Sequence, residues 1–181
     1  MSAAADNPVL VLTGSPGVGK TTAAAVLTAR TSPAVHLEAD VFFRFIRSGY
    51  VDPSEPESHA QNRVVMGIVA DAAAAYADAG YFTIVDGIVI PRWFLAPLRE
   101  GLEAAGHPVA YAVMRAPLAV CAARLRQREG LDGDAIALDR LWADFADLGE
   151  LEDHAVDVTG KSPDQAAAEI ERLLRAGRLT L

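Results

Sequence analysis

Short apolar runs alternate with longer alanine-rich runs along this chain, and the alternation predicts strands and helices in turn. Val9-Leu10-Val11-Leu12 is continuously apolar and runs into glycine, which predicts a strand buried on both faces. Lys20 to Arg30 predicts a helix stopped near Pro33. Ala34-Val35-His36-Leu37 predicts a second strand, followed by a helical turn or two over Val41 to Arg47 that ends at Gly49. Asp52-Pro53-Ser54-Glu55-Pro56 reads as a loop. Ser58 to Ala79 predicts a long helix, with Ser58 as its N-cap and Gly80 as its stop. Phe82 to Asp86 is the next strand, and Pro91 to Ala105 a helix with proline in its opening turn. Val109 to Met114 predicts a strand, Pro117 to Glu129 a helix, Gly130 to Gly133 a turn and Ile136 to Leu148 a further helix. His154 to Val158 is the last strand, and Pro163 to Arg175 a closing helix capped by Ser162. This βαβα succession predicts an α/β domain with a parallel sheet covered on both faces by helices. No repeat or low-complexity linker divides residues 1–181, and Ala72-Ala73-Ala74-Ala75 is a helix former.

Composition narrows the function classes. The 181 residues suit one domain with a full core, and 51% hydrophobic against 22% charged residues describes a globular chain. A net charge of −8 argues against a nucleic-acid partner held through phosphates, while leaving room for a small anion in a local basic pocket. Cys121 is the sole cysteine, which excludes an intrachain disulfide and a multi-thiolate zinc site. In the run Leu118-Ala119-Val120-Cys121-Ala122-Ala123 it reads as a small buried hydrophobe. Met1 to Asn7 lack the basic start and apolar run of a signal peptide, and the apolar stretches are too short or interrupted to cross a bilayer. The expected compartment is the cytoplasm, with no membrane partner. Monomer or homodimer is left open.

The strongest chemical signal is Gly14-Ser15-Pro16-Gly17-Val18-Gly19-Lys20-Thr21, which satisfies the full G-x-x-x-x-G-K-[ST] pattern between a buried strand and a helix. Its glycines let the backbone wrap and aim N–H groups at phosphate oxygens, and the helix N-terminus adds positive potential. Lys20 can reach the terminal phosphates, the Thr21 hydroxyl can ligate magnesium, and Thr22 adjoins the α-phosphate position. ATP with magnesium is the expected ligand pair.

Two carboxylates follow strands. Asp86 ends the third strand, where parallel sheets gather ligands, and is a candidate for holding a magnesium-bound water or touching the acceptor; a cap on the Gly87 turn is the plainer role. Asp40 follows the second strand, with Glu38 two residues earlier. It can take the proton of a hydroxyl attacking the γ-phosphate, or cap the helix at Val41. Arg124, Arg126 and Arg128 sit on one helix, with Arg124 and Arg128 on a common face. They suit charge neutralisation on a transferred phosphoryl group, or a solvated basic helix end. Arg115 is less telling, and Arg172, Arg175 and Arg178 read as solvated.

The acceptor region combines the aromatic run Val41-Phe42-Phe43-Arg44-Phe45-Ile46, the helical set His59, Asn62 and Arg63, and Gly87 to Phe94. These can form apolar walls with a few polar handles. Phe42, Phe45 and Phe94 taken singly read as core; Trp93 and Arg63 are the better site candidates, since their polar groups need partners if buried. The acceptor candidates are thus Asp40, Arg44, His59, Asn62, Arg63, Asp86 and Trp93. His36 and His107 read as structural, with no metal-ligand spacing among the histidines.

The order P-loop, Asp40, Asp86, Arg124–Arg128 and Asp157-Val158-Thr159-Gly160-Lys161-Ser162 resembles small P-loop kinases. The likeness is to the AAA-type branch holding chloramphenicol phosphotransferase, with gluconate and shikimate kinases and the polynucleotide kinase domain as wider relatives. That resemblance implies a three-layer P-loop NTPase sandwich with a five-stranded sheet of order 2-3-1-4-5. It further implies Asp40 as general base, a lid over about residues 124–136, Arg124 beside the adenine, Arg128 near the phosphates, and Thr159, Gly160, Lys161 and Ser162 bordering the base. The acceptor pocket between Arg44 and Arg63 matches no family pattern. The expected activity is ATP-dependent phosphorylation of a hydroxyl on a small, partly apolar molecule: an antibiotic, a nucleoside-like compound or a sugar derivative. A nucleotide switch acting through a protein partner and a polynucleotide 5′-hydroxyl kinase are the rivals; the acidic charge counts against the second.

Overall fold

The computed structural model describes residues 8–129 and 135–181, with side chains described for 8–127 and 138–181. Five strands, β1 (Val9–Gly14), β2 (Ala34–Glu38), β3 (Phe82–Asp86), β4 (Val109–Arg115) and β5 (Ala155–Asp157), form a sheet of order β2-β3-β1-β4-β5. All four strand pairs are parallel. Between them lie α1 (Lys20–Ala29), α2 (Ala39–Phe43), α3 (His59–Asp78), α4 (Ala96–Ala104), α5 (Leu118–Glu129), α6 (Ala135–Ala143) and α7 (Pro163–Arg175).

The central strand explains the layering. Every residue of β1 is buried, because helices cover both faces. Side chains alternate across a strand, so Val9 and Val11 join Val85, Tyr111 and Val113 against α3 and α4. Leu10 and Leu12 join Ile84, Ala112 and Met114 against α1, α5 and α7. Fully burying one such Val or Leu side chain is worth about 1.5–3 kcal/mol, so this strand alone anchors both layers. Alanines at 70, 73, 74 and 77 let α3 approach closely, and a Cβ on Gly101 of α4 would stand 2.7 Å from the Ala70 Cβ.

Register then places the chemistry. Leu12 pairs with Asp86, and Asp86 with Glu38, so the carboxyl ends of β1, β3 and β2 lie level. The P-loop, Asp86 and the start of α2 therefore emerge side by side, where ligands of open α/β sheets bind. The loop after Asp86 is tied down from two sides. Val89 N–H donates to the Thr13 hydroxyl at 2.9 Å, and the buried Tyr111 phenol donates to the Val89 carbonyl at 2.7 Å.

Several elements differ from expectation in instructive ways. Ser58 does not cap α3: its own backbone is helical, and its hydroxyl donates to the carbonyls of Pro53 and Glu55. The expected first turn of the Pro91–Ala105 helix is a widened π turn at Pro91–Leu95, which carries two adjacent apolar residues, Phe94 and Leu95, into the core. The helix expected to reach Leu148 ends at Ala143. Beyond it the Phe145 carbonyl is taken by Arg115 Nε at 2.7 Å, and a 3-10 segment, Gly149–His154, leads to β5. The helix expected from Val41 begins at Ala39. Gly80 stops α3 as expected, with φ +85 and the Tyr81 N–H bonded back to the Tyr76 carbonyl. Ser162 caps α7 in a full capping box with Gln165. Phe45, expected in the core, is 65% exposed. The turn expected at Gly130–Gly133 lies outside the described residues.

Candidate functional site

The phosphate loop is shaped by how closely other backbone comes to its glycines. Gly14 has φ +137, and a Cβ there would sit 2.3 Å from the Met114 carbonyl oxygen at the end of β4. Gly17 has φ +76, and its Cβ would sit 2.4 Å from the Cys121 carbonyl oxygen on α5. Both positions demand glycine twice over, for conformation and for space. Cys121 is fully buried as expected, and its thiol lies 3.4 Å from the Ser15 hydroxyl. The structure thus uses this cysteine to seat the loop. Gly19 precedes α1 as its N-cap with no side-chain cap, so the first N–H groups of α1 keep their capacity for phosphate oxygens.

Lys20 folds over this loop, with Nζ 3.0 Å from the Gly14 carbonyl and 3.2 Å from that of Ser15. Thr21 donates its hydroxyl to Asp86 Oδ2 at 2.7 Å. Asp86 is 4% exposed, and its other oxygen, Oδ1, is buried without a hydrogen-bond partner. Since the Thr21 proton points at Asp86, the lone pairs of its hydroxyl are available to a cation. An alcohol oxygen beside a carboxylate with one unsatisfied oxygen is a hard donor set, and it fits magnesium, which takes few protein ligands and completes its shell with phosphate and water.

His36, which reads as structural in the sequence, has its Nε2 3.1 Å from Asp86 Oδ2 and so stands beside this site. The readable signal was a polar ring inside an otherwise apolar strand. What chain order could not supply was the neighbour, which is fifty residues away. Asp40 stands inside the first turn of α2, one residue past its start, so the residue preceding the helix is Glu38 and the expected cap at Val41 is not formed. Asp40 opens to solvent, yet the surrounding concavity crowds its carboxyl. Burial is the main cause of a pKa raised above the ordinary carboxylate value; Lys20 opposes it, Asp86 adds to it, and Arg44 and Glu38 act more weakly. Asp40 therefore lies within electrostatic reach of both the P-loop lysine and the buried carboxylate.

Arg124 donates from Nη1 to the Val18 carbonyl at 2.8 Å, tying α5 to the P-loop. Arg126 is exposed on the same helix. Arg128 also lies on α5, but its side chain falls outside those described, as does most of the expected lid segment. Gly160 turns the chain with φ +69, Lys161 reaches back to the Asp157 carbonyl, and Ser162 is engaged as the α7 cap. Thr22 is exposed on the first turn of α1.

Two concavities open among the described residues. One, of about 440 Å³, lies over the ends of β4 and β5 and brings Ser15 together with Arg115, Trp142, Phe145, Asp157 and Thr159. Thr159 of the expected base-binding segment reaches its lining. Trp142 was not singled out in the sequence; its indole N–H donates to the Ala116 carbonyl at 2.9 Å and so holds α6 over the cavity. Arg115 is also more telling than expected, since it grips Glu152 with two bonds of 2.7 and 2.8 Å and holds that carboxylate's pKa down to about 2.

The other, of about 250 Å³, is lined in part by Pro53, Ser58, His59, Asn62, Trp93 and Arg140. His59, Asn62 and Arg63 do not act as one face: Asn62 turns inward, while His59 and Arg63 are exposed. Asn62 donates to the Pro53 carbonyl and the Ser58 hydroxyl. Arg63 and Arg44 are exposed and do not line this cavity. Trp93 lines it while 39% exposed. Arg140, which the sequence reading passed over, completes it from α6 and also acts on Asp52, whose pKa is lowered chiefly by bonds from Ser54 and more weakly by Arg140. Asp52 and Asp40 in turn both act on Tyr50, whose phenol is raised first by burial. This chain of neighbours connects the cavity to the Asp40 side of the P-loop.

A model of an AAA domain family matches residues 9–148 of this chain. No curated protein matches it in sequence. Among solved structures, the tunicamycin resistance protein of Deinococcus radiodurans superposes with a TM-score of 0.70 at 22% identity, over 96% of this chain and 98% of that one. A sugar kinase from Janibacter sp. HTCC2649 does so with a TM-score of 0.69 at 25% identity, over 96% and 95%. A gluconokinase from Sinorhizobium meliloti 1021 gives a TM-score of 0.65 at 17% identity, over 93% and 94%. The fold is thus that of the P-loop small-molecule kinases, with the strand order 2-3-1-4-5 that the sequence resemblance implied. No described helix is long and apolar enough to cross a membrane.

Proposed function

We propose that this chain, which belongs to the AAA domain family, is an ATP-dependent kinase that transfers the γ-phosphate to a hydroxyl of a small, partly apolar acceptor. The observation that carries this reading is Asp40, a carboxylate set within the fields of Lys20 and Asp86 and open to solvent. A base beside the P-loop lysine is what a transferase to an alcohol needs, and a protein that merely binds nucleotide does not need it.

The steps follow from the residues. The N–H groups of Gly17, Gly19, Lys20 and Thr21, in the loop and at the start of α1, hold the phosphates, and Lys20 leaves the Gly14 and Ser15 carbonyls to meet the terminal oxygens. Thr21 and Asp86 would hold magnesium, which would supply charge neutralisation to the phosphates. Asp40 accepts the proton of the acceptor hydroxyl as its oxygen bonds to the γ-phosphorus and the bond to the ADP oxygen breaks. Burial, by raising the Asp40 pKa, makes it a better base than an ordinary carboxylate. Arg128 is assigned to charge developing on the phosphoryl group, and Arg124, with Gly160, Lys161 and Ser162, to the base. Catalysis is chiefly positioning and electrostatics.

The acceptor fits the second cavity, with Trp93 as apolar wall and His59, Asn62 and Arg140 as polar handles; Arg44 and Arg63 stand at its approaches. The tunicamycin resistance and sugar kinase neighbours make antibiotics and sugar derivatives the first compounds to try. Acceptor-stimulated ADP release across a library of hydroxyl compounds tests the reading, with Lys20→Ala as the blank. The kinase reading expects little ATP turnover until an acceptor is added and a phosphorylated product by mass spectrometry. Rapid acceptor-independent hydrolysis, unchanged across the library, would overturn it in favour of a nucleotide switch.

A further inference from the structure

Asp86 carries both its hydrogen bonds on one oxygen. Oδ2 receives the Thr21 hydroxyl at 2.7 Å and lies 3.1 Å from His36 Nε2, while Oδ1 has no partner among the described residues. A carboxylate accepts, so in this contact His36 serves as donor through the tautomer that carries its proton on Nε2. Two donors from different elements, α1 and the edge strand β2, converge on a single buried atom. Turning the carboxylate would break both bonds at once, so the pair fixes which oxygen is spent inside the protein and which remains.

We propose that His36 is a positioning residue for the magnesium site: it holds Asp86 so that Oδ1 is kept for the metal's hydration shell and the Thr21 lone pairs for the metal itself. This rests on the magnesium-dependent reading of the site. The geometry suits the task. His36 stands opposite Ile84 in the β2–β3 register, two residues short of Asp86, and its ring reaches diagonally across to the strand end. Neighbours of this kind, which orient a metal ligand without touching the metal, typically change metal affinity by about 10- to 100-fold when removed. His36 is 17% exposed on an edge strand, so replacing it empties little of the core.

Calorimetric titration of magnesium into the protein saturated with a non-hydrolysable ATP analogue tests this directly, with the affinity for the metal-free analogue as the second readout. His36→Ala should weaken magnesium binding by about tenfold or more and leave metal-free nucleotide affinity unchanged. His36→Gln, whose side-chain N–H has similar reach, should recover most of the loss. A merely structural role would not produce this pattern, since it would lower both affinities together. Wild-type magnesium affinity in His36→Ala, or His36→Gln as impaired as His36→Ala, would overturn the proposal. Asp86→Asn is the control: if it too binds magnesium like the wild type, the metal-site reading itself fails and takes the role of His36 with it.

Discussion

Residues 14–21 are shaped by main chain packed on main chain at two glycines, with Arg124 and Lys20 adding side-chain bonds, whereas residues 44–63 have no such close backbone packing among the described residues and are tied by side chains reaching to main chain. At the P-loop, the Met114 and Cys121 carbonyls press against Gly14 and Gly17, leaving no room for a side chain. In residues 44–63, the proposed acceptor side, Gln61 clamps both the N–H and the carbonyl of Val51, and Ser58 and Asn62 hold the Pro53 carbonyl. Phe45 and Tyr50 stay exposed there. The first arrangement admits one geometry and suits a cofactor that never changes. The second can be retuned by single substitutions and suits a site whose ligand differs among relatives.

The contrast can be broken most sharply at Asp40, on the seam between the two regions. Asp40→Asn should keep ATP and magnesium affinity and lose about a hundredfold to ten-thousandfold in acceptor phosphorylation. The pKa of Asp40 is raised by folding, so its stability contribution is present below the unfolded value and is lost as pH rises through the folded one. Above the unfolded value the carboxyl is therefore a cost, and Asp40→Asn should melt at the same temperature or higher. In the wild type, kcat/KM should fall as pH drops through this raised pKa, and the variant should lack that limb. An active Asp40→Asn would move the base role elsewhere.

Gly14→Ala attacks the rigid region. The Cβ would stand 2.3 Å from a backbone oxygen at φ +137, so a destabilisation of about 1–3 kcal/mol is expected, together with loss of ATP binding whatever the acceptor. Thermal melting and nucleotide calorimetry would measure it, and a well-folded variant that binds ATP normally would refute the over-determined loop. Trp93→Ala should act on the acceptor alone, raising its KM about tenfold, equivalent to about 1.4 kcal/mol, with ATP affinity unchanged. Gln61→Ala should have the smallest effect: the two Val51 bonds are worth about 0.5–1.5 kcal/mol each, so stability should drop modestly and acceptor KM rise a few-fold. If either of the last two weakened ATP as much as acceptor, the two regions would not be separate.

The five strands, the closing helix Pro163–Arg175 with its cap and the P-loop were legible in the chain, because each depends on neighbouring residues: an apolar run, a proline after a serine, a glycine pattern. Asp86 and Asp40 were legible as strand-end carboxylates. The roles of Ser58, Arg115, Trp142 and His36 were not, because each depends on a partner beyond its own turn. Ser58 looks like a cap until the Pro53 carbonyl arrives, and Trp142 is one aromatic among several until its indole meets Ala116.

Sequence by itself determined that a buried strand would run into a phosphate-binding turn and a helix, since glycine conformation and helix polarity act over a few residues. Tertiary structure alone decided which oxygen of Asp86 is free. That choice is made by Thr21 from α1 and His36 from β2, sixty-five and fifty residues away along the chain. Only parallel pairing in register brings the three to one point, because side-chain direction at a strand end follows from the neighbouring strands, and those are chosen by the packing of the whole sheet.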